Sequence, residues 1–289
     1  MIGQKTNFRL MRHAIMLAAT LSLAGCSGAS VVTNSVAEPH DPGNALSPAN
    51  LASLTDVVER NPSDPQAYNI RGAVYGQAGQ FEQALADFNK AISLDPRFAQ
   101  AYANRGLVYQ STNKTDLALA DYHKALGFDS SYAAAYVGRG MVYRQKGQLL
   151  LALNDFNKAI AIRPDNAKAF YNRGLLYQSQ RQHQFAIDDF STALTLTPQQ
   201  QDLLVARALS YIAVDDLKSA ASDLDEGVPL NTLNTQAWMA RGLAYERLGD
   251  NEKAAGSYAK VLGINREDKT AQAGFTRVGG QVGRQYQAF

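Results

Sequence analysis

Cysteine occurs once in the 289 residues, as Cys26, which excludes an internal disulfide and any zinc site built on thiolates. Histidine is almost as scarce, with His13, His40, His123 and His183 scattered along the chain, so a metal site is not expected and no cofactor is implied. Charge of one sign is also missing. The formal balance of +2 comes from 28 basic and 26 acidic residues, and three of the cations (Lys5, Arg9, Arg12) lie in the first 25 residues with no acid beside them. The remainder of the chain is close to neutral and has no basic patch, which excludes a nucleic-acid footprint. With 46% hydrophobic and 19% charged residues, the chain is long and apolar enough for a sizeable core.

Apolar runs are few, and the notable one is N-terminal. After the cationic residues 1–13 comes Ala14–Ala24, the length of a signal-peptide h-region and too short for an ordinary membrane-spanning helix. It runs into Leu23-Ala24-Gly25-Cys26, followed by Ser27. This tetrapeptide resembles the bacterial lipobox, which implies cleavage before Cys26, a lipid on its sulfur and an acylated new amino terminus. Several acyl chains at about 0.8 kcal/mol per buried methylene would make such anchoring effectively permanent. By the enterobacterial sorting rule, Ser27 implies the outer membrane. Residues 26–48 carry Ser, Gly, Asn and three prolines without periodicity and read as a flexible tether.

From residue 65 onward one period governs the chain. Arg71, Arg105, Arg139, Arg173, Arg207 and Arg241 are each 34 residues apart, as are Tyr75, Tyr109, Tyr143, Tyr177, Tyr211 and Tyr245. Ala84, Ala118, Ala152, Ala186, Ala220 and Ala254 keep the same step. Six repeats are therefore expected at 65–98, 99–132, 133–166, 167–200, 201–234 and 235–268, with repeat positions counted from their first residues. Gly72, Gly106, Gly140, Gly174 and Gly242 occupy position 8. A glycine inside a helix costs about 1 kcal/mol relative to alanine, so five in register need a reason. Close approach of the backbones at position 8 and at Ala of position 20 would supply one, with aromatics at positions 4, 11 and 24 filling the space beside it. Gly79, Gly147 and Gly249 mark turns between helices, and Pro96, Pro164 and Pro198 end second helices.

This pattern resembles the tetratricopeptide repeat. The resemblance implies an all-α solenoid of six helix-turn-helix repeats in which stacking makes a core that one hairpin cannot make alone. A capping helix is expected at each end: residues 49–64 match the second half of a repeat, and residues 269–289 hold a lone first helix carrying Phe275, then a loose tail after Gly279-Gly280. The fifth repeat departs from the pattern with Leu204, Ala208, Leu224 and Gly227-Val228-Pro229, so its second helix should end early.

An aspartate column, Asp87, Asp121, Asp155, Asp189 and Asp223, accompanies Arg71, Arg105, Arg139, Arg173 and Arg207 at positions 23 and 7. These are read as structural ion pairs within each hairpin. The sixth repeat has Ser257 in that column, leaving Arg241 without its acid and therefore the arginine freest for another role. No HExxH, GxSxG, Walker loop or strand-borne GxGxxG occurs, so no catalytic residue is assigned and an enzyme is not expected.

By the same resemblance the binding surface is a concave groove lined by first helices. Position 9 offers Leu107, Met141 and Leu175, position 12 Gln110, Arg144 and Gln178, and position 5 Tyr171. An apolar floor edged by such residues suits a peptide, although position 9 is equally placed to pack between repeats. The carboxylate clamp of chaperone-binding relatives needs Lys at 5 and Asn at 9, and here stand Asn69 with Ala73 or Tyr171 with Leu175. The whole arrangement of lipobox, tether and repeats is similar to the NlpI-type outer-membrane lipoproteins, which implies a membrane-anchored periplasmic adaptor for proteases or cell-wall hydrolases. Pilotin-like lipoproteins of type IV pilus assembly are the second resemblance, and a homodimer is left open.

Overall fold

A computed structural model describes residues 48–286, all of whose regular elements are helical. The signal segment, Cys26 and nearly all of the tether lie outside the described residues. A first helix, α1 (Pro48–Arg60), precedes six hairpins. These are α2 (Pro65–Gln77) with α3 (Phe81–Leu94), α4 (Ala99–Ser111) with α5 (Thr115–Phe128), and α6 (Ala133–Gln145) with α7 (Leu149–Ile162). Then come α8 (Ala167–Ser179) with α9 (His183–Leu196), α10 (Gln201–Ala213) with α11 (Leu217–Gly227), and α12 (Thr235–Leu248) with α13 (Asn251–Ile264). The array ends in α14 (Lys269–Arg277). The fold is an all-α solenoid.

Local chemistry places the helix ends. Asp64, Asn166, Asn234 and Asp268 each accept a backbone N–H from the first turn of the helix they precede. The hairpin turn needs one left-handed residue at position 15. Glycine supplies it at Gly79, Gly147 and Gly249, while Asn113, Arg181 and Asp215 adopt φ of 58°, 59° and 66° at the same place. In the fifth repeat, α11 has 11 residues where the other second helices have 14, and a 3₁₀ turn at Val228–Leu230 follows. Gln201 holds the longer connection, its Nε2 donating to the carbonyls of Gly227 (2.8 Å) and Asn231 (3.0 Å).

The glycine column has a different cause from the expected one. A Cβ built on Gly140 would lie 2.7 Å from Cε1 of Phe156, at position 24 of its own hairpin. At Gly174 and Gly242 the rings of Phe190 and Tyr258 are met at 2.6 Å. Position 8 thus makes room for an aromatic ring rather than for alanine at position 20. The fifth repeat solves the same packing problem in another way, with Ala208 against the smaller Leu224, both buried. Two of the rings carry hydroxyls, and each meets a second glycine from the next first helix: Tyr122 lies against Gly138 and Tyr258 against Gly274.

On α1, Val58 is buried and Val57 is 40% exposed. The segment after α14 is no loose tail as far as it is described. Tyr286 packs edge-on against Phe275 at 5.7 Å and its hydroxyl accepts from the Gln281 amide, while Arg284 pairs with Glu252.

Candidate peptide-binding groove

Curvature follows from which helices touch. Each first helix packs on its own second helix and also on the first helix of the next repeat, whereas second helices have no comparable contact with one another. First helices therefore form the inner, concave wall.

The arginine and aspartate columns brace that wall. Arg139 donates from Nε and Nη2 to the two carboxylate oxygens of Asp155, both at 2.8 Å. The same two-pronged geometry joins Arg71 to Asp87, Arg105 to Asp121, Arg173 to Asp189 and Arg207 to Asp223, all between 2.7 and 2.8 Å. The aspartates are buried, and hydrogen bonding to them raises the arginine pKa values against the opposing effect of burial. Rings at positions 4 and 11 flank the guanidinium in the first four repeats, as Tyr136 and Tyr143 do for Arg139 at 5.5 and 5.8 Å, while Arg207, with Leu204 at position 4, has Tyr211 alone. These pairs lie inside the hairpins and hold their two helices in register.

Arg241 is not free, which corrects the expectation drawn from Ser257. It is 3% exposed, donates from Nε to Asp225 at 2.7 Å and from Nη1 to the Ser257 hydroxyl at 2.8 Å. Tyr245 donates its hydroxyl to the other oxygen of Asp225 at 2.6 Å. The acid missing at position 23 has been replaced by one at position 25 of the preceding repeat. Sequence reasoning missed Asp225, yet a signal existed: position 25 is polar in the four preceding repeats, and Asn89 and Asn157 accept the third prong of Arg105 and Arg173.

Of the groove candidates, Leu107 is 51% exposed and Met141, Tyr171 and Leu175 are half-buried. Tyr171, Leu175 and Gln178 come together in a cleft of about 140 Å³ completed by Asp202, Val205, Ala206, Leu209, Asn234 and Gln236. Leu107, Gln110, Met141 and Arg144 stand in earlier repeats and do not line it. Two candidates are committed to the protein's own structure. Gln178 Nε2 donates to the Ala206 carbonyl and the Ser210 hydroxyl, both at 2.9 Å, which ties the fourth repeat to the fifth. Gln110 accepts from the Tyr122 hydroxyl at 3.2 Å. Arg144 has no such partner: its Nε is buried without a hydrogen bond among the described residues. Burial lowers its pKa, with Tyr171 partly offsetting the effect. No cluster of three or more metal-ligating side chains occurs among the described residues.

Sequence profiles described as tetratricopeptide repeats match residues 74–113 and 140–180, 99–132, 167–200 and 205–269, which together span most of the chain. The chain is a tetratricopeptide-repeat protein. No curated protein shows significant similarity to this tetratricopeptide-repeat chain. Among solved structures, it overlays the APC/C hetero-tetramer Cut9–Hcn1 with a TM-score of 0.69 at 20% identity, covering 80% of its own length and 46% of that chain. It thus spans about half of that relative. Pseudomonas aeruginosa PilF is matched with a TM-score of 0.68 at 22% identity, over 76% of this chain and 99% of that one. YrrB, described as a TPR protein with an unusual peptide-binding site, matches with a TM-score of 0.55 at 27% identity, over 64% and 96%. Tetratricopeptide-repeat proteins bind protein or peptide partners.

Proposed function

We propose that the protein is a lipid-anchored periplasmic scaffold, not an enzyme, that binds proteins or peptides along the concave wall of its first helices. The observation that carries the binding reading is an accessible apolar floor, Leu107, Met141 and Leu175, beside Arg144, whose Nε the fold leaves without an acceptor. Leu23-Ala24-Gly25-Cys26 supports the anchor, and the order of h-region, cysteine and tether supports a periplasmic position at the outer membrane. Proteases or cell-wall hydrolases are the partner class that the likeness to NlpI-type lipoproteins implies. A second reading, an assembly factor for type IV pili or a secretion machine, draws on the near-complete overlay with PilF, which is a likeness of fold.

Two experiments separate these claims. Cys26→Ala should abolish palmitate labelling and release the protein from membranes; a mutant that still labels and sediments with membranes refutes the anchor. A photo-cross-linker at Leu107 or Leu175 should capture a partner from intact cells, and one at exposed Leu150 of α7 should not. Hydrolases or proteases in the captured band support the first reading and secretin subunits the second. Capture from Leu150 alone refutes the groove.

A further inference from the structure

Arg144 is anomalous within the array. At position 12, Gly76 and Ile212 bring no polar group, while Gln110, Gln178 and Glu246 are bound by Tyr122, by Ala206 and Ser210, and by Arg277 and Tyr258 respectively. The arginines of position 7 all have an acid, and so does Arg247 of the groove edge, which pairs with Asp215. The Arg144 side chain makes no hydrogen bond or ion pair among the described residues, and its Nε is shut off from solvent. A guanidinium does not escape this by losing its proton, so a partly desolvated cation stands at position 12 with its Nε lacking an acceptor.

Asp202 stands in the complementary position. It is exposed, has no hydrogen bond or ion pair through its side chain among the described residues, and is the acid of a cleft otherwise formed by Tyr171, Leu175, Val205 and neutral neighbours. Tyr171 senses both charges. Its pKa is raised by burial and by Asp202, and lowered by Arg144. Arg144, Tyr171 and Asp202 stand on the first helices of the third, fourth and fifth repeats, the last two in one cleft, so the order along the stack is cation, phenol, carboxylate. The row thus presents two opposite charges on the third and fifth repeats, Arg144 with a buried unpartnered Nε and Asp202 open to solvent, in the central part of the stack.

We propose that the groove of the third to fifth repeats selects an extended peptide segment by charge order, taking an acidic side chain at Arg144 and a basic one in the Asp202 cleft, with Tyr171 packed against the chain between them. A carboxylate matches the flat fork of a guanidinium. The cleft of about 140 Å³ is the size of one side chain, and a lysine or arginine stem can lie along Leu175, Val205 and Leu209 while its head reaches Asp202. The proposal rests on the groove reading above and names the chemistry of what the groove takes.

Panning random short peptides against the full chain, followed by titration of the enriched sequences, tests it. Enriched peptides should share an acid and a base in constant order and spacing. Arg144→Glu should weaken such a peptide at least about tenfold, and changing the peptide's acid to lysine should restore most of the loss; Asp202→Lys should be rescued by the opposite change in the peptide's base. Rescue also shows that each variant is folded. Enriched peptides that lose affinity with Leu107→Glu or Leu175→Glu, but show no charge order or ignore both reversals, overturn this proposal and leave the groove reading standing. A library that yields only peptides indifferent to those groove substitutions, or none, overturns the groove reading and this proposal with it.

Discussion

Gly140→Ala in α6 separates a packing glycine from an ordinary helical one. A helix interior normally gains up to about 1 kcal/mol from this change. Here the new methyl would sit 2.7 Å and 3.0 Å from Cε1 and Cδ1 of Phe156 and 3.2 Å from Cβ of Asp155. Phe156 is fully buried, and Asp155 is held by Arg139, so neither can retreat without disturbing the core or the ion pair. Overpacking of this kind costs about 1–3 kcal/mol, and the upper half applies because two constrained neighbours are touched at once. The net expectation is a loss of roughly 1–2 kcal/mol by urea denaturation. Phe156→Leu alone should also destabilise, by leaving a void, at roughly 1–2 kcal/mol. Together they recreate the Ala208–Leu224 pairing of the fifth repeat, so the double mutant should be more stable than the summed singles by at least about 1 kcal/mol. Gly127 in α5, whose added Cβ would meet nothing within 4 Å, is the control: Gly127→Ala should stabilise. Strict additivity of the two changes, or a gain at Gly140 equal to that at Gly127, would refute the reasoning.

Three other expectations rest on the same geometry. Asp225→Ala leaves the buried Arg241 cation short of its acid and should cost about 2 kcal/mol, and adding Ser257→Asp should recover most of it, as thermal unfolding of the two variants would show. Arg181→Gly removes a bulky residue from a left-handed turn at φ 59° and should stabilise by about 1 kcal/mol in the same assay. Hydrogen bonds from Arg277 and from Tyr258, working against burial, hold the Glu246 carboxyl below its usual range. The folded chain thus binds that proton less readily than the unfolded one, so the contribution is complete at neutral pH and disappears as acid passes through the lowered pKa. The stability difference between wild type and Glu246→Gln should accordingly be largest near pH 7 and vanish at strongly acidic pH, and a pH-independent difference would contradict the pairing with Arg277.

Relations inside one repeat could be read from the chain alone. The 34-residue period, the two helices of each hairpin and the pairing of Arg139 with Asp155 sixteen residues away depend on local geometry that every repeat copies, so recurrence made them visible. The early end of α11 was visible for the same reason, through Gly227 and Pro229. Relations between repeats were not, because they depend on how far each hairpin is rotated against the next. That rotation brings Asp225 to Arg241, sets Tyr122 against Gly138 and ties Gln178 to Ser210. It also decides the groove. Position 12 gave Gln110, Arg144 and Gln178 equal standing in the sequence, but two of them spend their polar atoms on the protein itself. Only the packing of neighbouring repeats left Arg144 unpaired beside Tyr171, since a side chain's free hydrogen-bonding capacity is set by what surrounds it in space.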